Sequence, residues 1–113
     1  MLPKKERLSR TEFNQFFSMG KHIHSPSFQI VYVSRDSLHA SVVVSKKIAR
    51  HAVQRNKIRR RIYDILRNYR SEKSLRGVFI FLVKPHILTI EYQVLKNEVR
   101  ACIESIVKTN RPH

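Results

Sequence analysis

The sequence predicts an α/β fold: a two-layer α+β sandwich in the order αββαβα, with helices packed on one face of a small mixed sheet. Segments of helical period alternate with short runs rich in β-branched and aromatic residues. One long helix lies between two strands, the pattern of a βαβ unit whose strands are parallel. The length suits a single domain, residues 1–113, and we expect flexible tails at residues 1–8 and 109–113.

The first helix is predicted to begin at about Ser9 or Arg10, because Ser9 and Glu12 have the spacing of a capping box. Gly20 is placed to end it. Its apolar stripe consists of Phe13, Phe16 and Phe17. Core packing is the ordinary role of such rings, but the outermost one is also a candidate platform for stacking an unpaired base.

The next segment, residues 21–26, is predicted to be a loop. Its two histidines, His22 and His24, are too few to predict a metal site. Two strands follow at residues 28–33 and 38–44, where β-branched and aromatic residues are frequent. The polar turn between these strands predicts that they pair as an antiparallel hairpin.

The run VFIFLV at residues 78–83 is apolar throughout, which predicts a strand covered on both faces, and Pro85 ends it. A last helix is expected from Thr89 or Ile90 to about Lys108. The apolar stripe of this helix, which we expect in the core, consists of Tyr92, Leu95, Val99, Cys102, Ile103 and Ile106.

The central stretch at residues 44–69, VSKKIARHAVQRNKIRRRIYDILRNY, combines an apolar helical stripe with a dense run of cations. The stripe consists of Ile58, Ile62, Ile65, Leu66 and Tyr69. The opposite face of the predicted helix carries Asn56, Lys57, Arg60, Asp64 and Arg67. The cations of the stretch are Lys46, Lys47, Arg50, Arg55, Lys57, Arg59, Arg60 and Arg61. A helix docked by its isoleucines would therefore hold a rigid row of cations outward.

The charge of this chain points to a polyanionic partner. Lysine and arginine number 23 against 8 acidic residues, a formal net charge of +15. The basic stretch lacks the i+4 carboxylates that support an ordinary solvated helix. Five of its eight cations are arginine, whose planar guanidinium suits bidentate phosphate contacts. These features favour nucleic-acid binding over a merely solvated surface.

Other classes of protein are disfavoured by what the sequence lacks. No apolar run approaches the roughly 20 residues that a membrane span needs. The lone Cys102 excludes an internal disulfide, which makes a reducing cytoplasm the simplest location. The eight carboxylates are scattered along the chain, so we predict no catalytic residue and no metal site in it.

One compound motif resembles a known family. The run RNKIRR at residues 55–60, preceded by VSKK at residues 44–47, resembles the signature of the bacterial ribonuclease P protein subunit. The resemblance extends over nearly the whole chain. It includes the Arg7-Leu8 pair ahead of the first helix, the phenylalanines of that helix, the strand FQIVYV and the order of elements.

The resemblance implies a protein cofactor of the ribonuclease P ribozyme, which removes the 5′ leader from precursor tRNA. The chain would be an enzyme only as a subunit of that endoribonuclease, because the family's catalytic groups and Mg²⁺ sites lie in the RNA subunit. The implied partners are the ribonuclease P catalytic RNA and precursor tRNA, with no membrane and no DNA. A monomeric protein in a one-to-one complex with the RNA is expected.

The resemblance also implies two sets of site residues. Those expected to bind the RNA subunit are Lys46, Lys47, Arg50, Arg55, Asn56, Lys57, Arg59 and Arg60. Those expected to bind the leader, in a cleft between the first helix and the sheet, are Phe13, Phe17, Phe28, Val31 and Tyr32. Phe28 is the aligned aromatic of the strand, and the loop length leaves Val31 or Tyr32 as alternatives.

The family fold has a left-handed βαβ crossover, which general rules of topology do not predict. Two positions depart from the family pattern. Lys57 replaces an arginine, which keeps the charge and loses the bidentate fork. Tyr63 stands where a further basic residue is usual, so that RNA contact would need stacking or a hydroxyl.

Two other functions fit part of these observations. A ribosomal or other structural RNA-binding protein without a role in cleavage would explain the charge equally well. A DNA-binding module would need a recognition helix in the major groove.

Overall fold

The computed structural model describes residues 8–109 as an α+β sandwich, which confirms the predicted fold class. The elements are α1 (Arg10–Met19), β1 (Lys21–His24), β2 (Phe28–Val33), β3 (Leu38–Val43), α2 (Ala52–Glu72), β4 (Gly77–Val83), a 3₁₀ turn (Pro85–Leu88) and α3 (Tyr92–Thr109). Of the tails predicted to be flexible, residues 1–7 and 110–113 lie outside the described residues.

Strand β1 corrects the prediction of a loop at residues 21–26. It pairs antiparallel with β2, and this pairing places β1 at the edge of the sheet. Three of its four side chains are exposed and polar, so the segment carries no apolar alternation that would announce a strand. The observed order of elements is therefore αβββαβα.

The predicted hairpin between β2 and β3 is wrong. The sheet order is β1-β2-β4-β3, so β4 lies between the two strands that were expected to pair. Strand β4 is antiparallel to β2 and parallel to β3. Its apolar sequence explains the central place, because both faces of β4 are covered as predicted. The unit β3-α2-β4 is the expected parallel βαβ unit, and its hand stays a prediction from the resemblance.

The helices lie on both faces of the sheet rather than on one. Helices α2 and α3 cover one face and form the main core with alternate residues of β2, β3 and β4. Helix α1 covers part of the other face. There Phe16 packs with Val31, Val33, Val78 and Ile80 in a smaller core. Because α1 is only ten residues long, it leaves one end of this second face open.

Helix α1 begins as the sequence predicts. The Ser9 side chain accepts a hydrogen bond from the Glu12 N–H, and the Glu12 carboxylate accepts one from the Ser9 N–H. Gly20 caps the other end in an extended conformation, with its N–H donating to Phe16 O at 2.8 Å. A Cβ at Gly20 would collide with the Val31 side chain, so the glycine permits close packing of α1 on β2.

Helix α2 buries the five stripe residues as predicted, and α3 differs from prediction at its start. A separate 3₁₀ turn, Pro85–Leu88, follows β4, and α3 begins only at Tyr92. Of the stripe residues, Tyr92 is exposed, and Cys102 is half-buried and packs against the main core. The remaining stripe residues, Leu95, Val99, Ile103 and Ile106, are buried as expected.

Candidate nucleic-acid interface

The cations of the central stretch divide between a loop and a helix. Residues 44–51 form a loop, the basic loop, that runs from β3 to the first turn of α2. Lys46, Lys47 and Arg50 are exposed in it. The Ser45 carbonyl accepts the N–H groups of Ile48 and Ala49, both at 3.1 Å, which folds the loop into a turn. These three cations therefore project from a fixed backbone.

Arg55 holds the basic loop in place. Its Nη1 donates to Ala49 O at 3.0 Å and to Arg50 O at 2.8 Å. The side chain is half-buried, and its guanidinium satisfies two loop carbonyls that α2 does not reach. Arg55 was expected to bind RNA directly. In the structure its guanidinium instead stabilises the loop that carries Lys46, Lys47 and Arg50.

Arg59 is also engaged with the protein. Its Nη1 donates to Asn56 Oδ1 at 2.9 Å, while its Nε lies 3.4 Å from Val42 O. Lys57 and Arg60 are exposed on the outer face of α2. The predicted RNA-subunit ligands that are exposed are Lys46, Lys47, Arg50, Asn56, Lys57 and Arg60.

The start of α2 adds a second source of positive potential. Its first turn contains no acidic residue, and its N-cap His51 makes no side-chain capping bond. The unpaired N–H groups and the positive end of the helix dipole therefore lie beside the cations of the basic loop. This combination suits a phosphate group.

Tyr63 does not face outward with these cations. It is 5% exposed, and its hydroxyl accepts the Val42 N–H at 3.2 Å. The Tyr63 side chain packs in the main core and supports β3, so it does not present a ring surface for stacking on RNA.

A second feature lies on the sheet face that carries α1. The strand registers align His24, Gln29, Leu82 and Val43 in one row across β1, β2, β4 and β3. The four side chains of this row are half-buried or exposed, whereas the adjacent Val31 is buried beneath α1. This row is the floor of the open surface beside α1, which we call the α1 cleft.

Aromatic rings form the wall of the α1 cleft. Phe13 and Phe17 are stacked with their ring centroids 5.8 Å apart and an interplanar angle of 20°. Phe16 faces the sheet and is buried, whereas Phe17 is 37% exposed. The interpretation that the outermost ring lines a groove while another packs is consistent with this arrangement.

Three strand residues expected in the leader site do not line the α1 cleft. Phe28 is 0% exposed and packs on Phe81 in the main core, on the opposite face of the sheet. Tyr32 lies on that same face against Phe79. Val31 faces α1 but is 0% exposed within the smaller core. The alternation of β2 places Gln29, not its neighbours Phe28 and Ile30, on the open floor.

The sequence reasoning missed the four floor residues His24, Gln29, Leu82 and Val43, and also His22 beside them. His22 and Gln29 are joined by a hydrogen bond of 2.6 Å between Gln29 Nε2 and His22 Nδ1. A strict period-2 reading of β2 from Val31 would have found Gln29. The others depend on the pairing of β1 and the central place of β4, which the sequence did not reveal.

The α1 cleft and the basic loop meet at one end of the sheet. Val43 ends β3 and belongs to the cleft floor, and the basic loop begins at the next residue. A nucleic-acid strand in the cleft would therefore pass close to the cations of the loop. The arrangement provides stacking surfaces and phosphate partners in one continuous region.

Two further findings concern the described part of the chain. Within residues 8–109, no group of three or more His, Cys, Asp or Glu side chains is arranged to hold a metal ion. None of the helices in the same range has the length and apolar character to cross a membrane.

The chain is similar to proteins of one family. The family model Ribonuclease P matches residues 2–107. The ribonuclease P protein component of Nitratiruptor sp. is 28% identical over 98 residues, which cover 87% of this chain and 88% of that protein. The ribonuclease P protein component of Petrotoga mobilis is 29% identical over 110 residues, covering 91% and 92%.

Solved structures share the fold. The RNase P protein from Thermotoga maritima has a TM-score of 0.78 at 19% identity, over 88% of this chain and 96% of that one. The Staphylococcus aureus RNase P protein has a TM-score of 0.76 at 22% identity, over 91% and 95%.

Proposed function

This chain belongs to the ribonuclease P protein family, and on that premise we propose how it works as the protein cofactor of ribonuclease P in the processing of tRNA 5′ ends. The observation that carries the proposal is the junction of the α1 cleft with the basic loop at one end of the sheet. We assign the loop and the outer face of α2 to the catalytic RNA. We assign the cleft to the single-stranded 5′ leader of precursor tRNA.

The first part of the proposal is electrostatic. Lys46, Lys47 and Arg50 surround the positive end of α2, and Lys57 and Arg60 extend the same charge along the helix. Each phosphate that these side chains neutralise releases counterions, so binding of the catalytic RNA depends steeply on salt. Neutralised phosphates also repel each other less, which lowers the Mg²⁺ concentration that the folded RNA needs.

The second part concerns the substrate. Phe13 and Phe17 offer ring surfaces on which bases stack irrespective of sequence. Gln29 on the floor of the cleft and His22 beside it add hydrogen-bonding groups. A mature tRNA has no leader to place there, so the precursor binds more tightly than the product. This difference favours the release of product after cleavage.

We place the chemistry of cleavage in the RNA subunit. The chain supplies positioning and charge neutralisation, and Mg²⁺ bound mainly by the RNA supplies the metal-ion chemistry. We further propose that one monomer of this protein binds each RNA and that the complex acts in the cytoplasm.

The test is a comparison of precursor and mature tRNA binding by a bacterial ribonuclease P RNA, with and without this protein. The protein is expected to increase affinity for the precursor and to leave affinity for mature tRNA nearly unchanged. Equal increases for both would contradict the assignment of the cleft to the leader. They would favour a structural RNA-binding protein instead.

A further inference from the structure

Glu98 of α3 accepts three hydrogen bonds from the segment between β1 and β2. Its Oε2 accepts from Ser25 Oγ at 2.6 Å and from Ser27 N at 2.9 Å. Its Oε1 accepts from Ser27 Oγ at 2.8 Å. Ser27 is the one buried polar residue within residues 8–109, so this carboxylate satisfies both its hydroxyl and its N–H.

The bonded segment is the turn between β1 and β2. Lys84 reinforces it from the end of β4, with Nζ donating to Ser25 O at 3.0 Å and its N–H donating to Ser27 O at 2.9 Å. Glu98 and Lys84 thus attach the turn to α3 and to the central strand. The turn is thereby held by contacts more than fifty residues away in sequence.

The position of this turn determines one side of the α1 cleft. Among the described strands, edge strand β1 pairs only with β2, and the turn holds the end of β1 that lies away from its connection to α1. His22 and His24 of β1 face the cleft, and the Nδ1 of His24 lies 3.4 Å from Lys84 Nζ. Gln29 is the second residue of β2 after the turn and forms part of the floor.

We propose that Glu98 is a positioning residue for leader binding: by fixing the β1–β2 turn, it sets where His24 and Gln29 lie on the floor of the α1 cleft. The inference rests on the proposed function of the cleft. Glu98 acts through Ser25 and Ser27 and has no contact with the RNA. Loss of its carboxylate frees the edge strand, so bases are held less well between Phe17 and the floor.

The experiment measures the ratio of precursor to mature tRNA affinity in the reconstituted holoenzyme, well below the unfolding temperature of each variant. Glu98→Ala is expected to lower this ratio by about tenfold, because small displacements of a binding wall weaken binding strongly. Affinity for the RNA subunit is expected to stay unchanged. Ser25→Ala, which removes only the 2.6 Å bond and leaves buried Ser27 in place, is expected to produce a smaller decrease.

Two variants separate position from charge. Glu98→Gln keeps an acceptor for the Ser27 N–H and places its amide to donate to Ser27 Oγ, so it is expected to retain most of the ratio. Glu104→Ala removes the same charge from an exposed site on the same helix, where the carboxylate pairs only loosely with Lys73 at 3.4 Å, and is expected to behave as the natural chain does.

A decrease with Glu98→Ala, a smaller one with Ser25→Ala and none with Glu104→Ala supports the inference. An unchanged ratio, or equal losses for precursor and mature tRNA, would overturn it while leaving the proposed function intact. If the natural chain itself fails to distinguish precursor from mature tRNA, the proposed function falls and this inference falls with it.

Discussion

The ring of Phe17 meets the imidazole of His22 edge-on, with ring centroids 5.5 Å apart and an interplanar angle of 83°. This contact joins the outer side of α1 to the edge strand β1. Because Phe17 also stacks on Phe13, the aromatic wall continues from the helix to the edge of the sheet. A base that stacks on Phe17 would have the polar pair of His22 and Gln29 beside it.

Phe17→Ala is expected to weaken precursor tRNA binding by about 1–3 kcal/mol, the range observed when one base loses an aromatic stacking partner. Binding of mature tRNA should not change. Titration of the holoenzyme with both tRNAs measures the difference. Met19→Ala, which truncates a more exposed side chain on the same helix, is the matched control. Equal loss for mature tRNA would mean that Phe17 has only a packing role.

Arg60→Gln is expected to reduce the salt dependence of RNA-subunit binding. Arg60 is exposed on the outer face of α2, and loss of one phosphate contact lowers the slope of log K against log salt by about 1. The double variant with Arg59→Gln should lower it further. Arg76→Gln removes an equal charge from an exposed site just before β4 and serves as the control. An unchanged slope of log K against log salt would mean that Arg60 does not contact a phosphate of the RNA subunit.

Tyr63→Phe is expected to lower the free energy of unfolding by about 1 kcal/mol, because it leaves the buried Val42 N–H without its hydroxyl acceptor. Affinity for the RNA subunit should not change when measured below the unfolding transition. Chemical denaturation measures the first quantity and titration the second. Tyr92→Phe, at an exposed position of α3, should alter neither. A loss of RNA affinity without a loss of stability would mean that the Tyr63 hydroxyl contributes to RNA binding.

Glu12→Gln is expected to change how stability depends on pH. The pKa of Glu12 lies below its ordinary value because its carboxylate accepts the Ser9 N–H and bonds the Ser9 side chain. A carboxyl whose pKa is lowered by folding stabilises the protein at neutral pH and loses that contribution on protonation. The natural chain should therefore lose stability more steeply than Glu12→Gln from about pH 5 to about pH 3. Parallel curves in thermal unfolding would contradict this.

Local signals in the sequence were sufficient for much of the fold. The capping box at Ser9 and Glu12 fixed the start of α1, and the period of the isoleucines fixed the buried side of α2. Each of these signals lies within a few residues of the feature that it predicts. The parallel unit of β3, α2 and β4 followed from the order of elements.

Features that depend on distant parts of the chain were not predictable in this way. The pairing of β2 with β4 instead of β3 is a choice between partners that local sequence does not record. Strand β1 exists because the β2 edge offers it unpaired backbone groups, not because of its own polar residues. The clamp of Glu98 on Ser27 joins residues 71 positions apart.

For the same reason, the sequence predicted the cations of the candidate site better than the residues of its cleft. The exposed cations of α2 follow from helical geometry, which a sequence displays directly. The cleft residues depend on which face of β2 meets α1. The predicted Phe28 and Tyr32 lie on the face that packs in the main core, while Gln29 lies on the face that carries α1. A shift of one residue along a strand exchanges the two faces completely.

The most direct test of this account is cleavage of precursor tRNA at low Mg²⁺ by a bacterial ribonuclease P RNA, with the protein alone as the control. We expect cleavage at the 5′ end of the tRNA when RNA and protein are both present, weak cleavage by the RNA alone and none by the protein alone. Tight RNA binding without any stimulation of cleavage, or cleavage by the protein in the absence of RNA, would contradict the account.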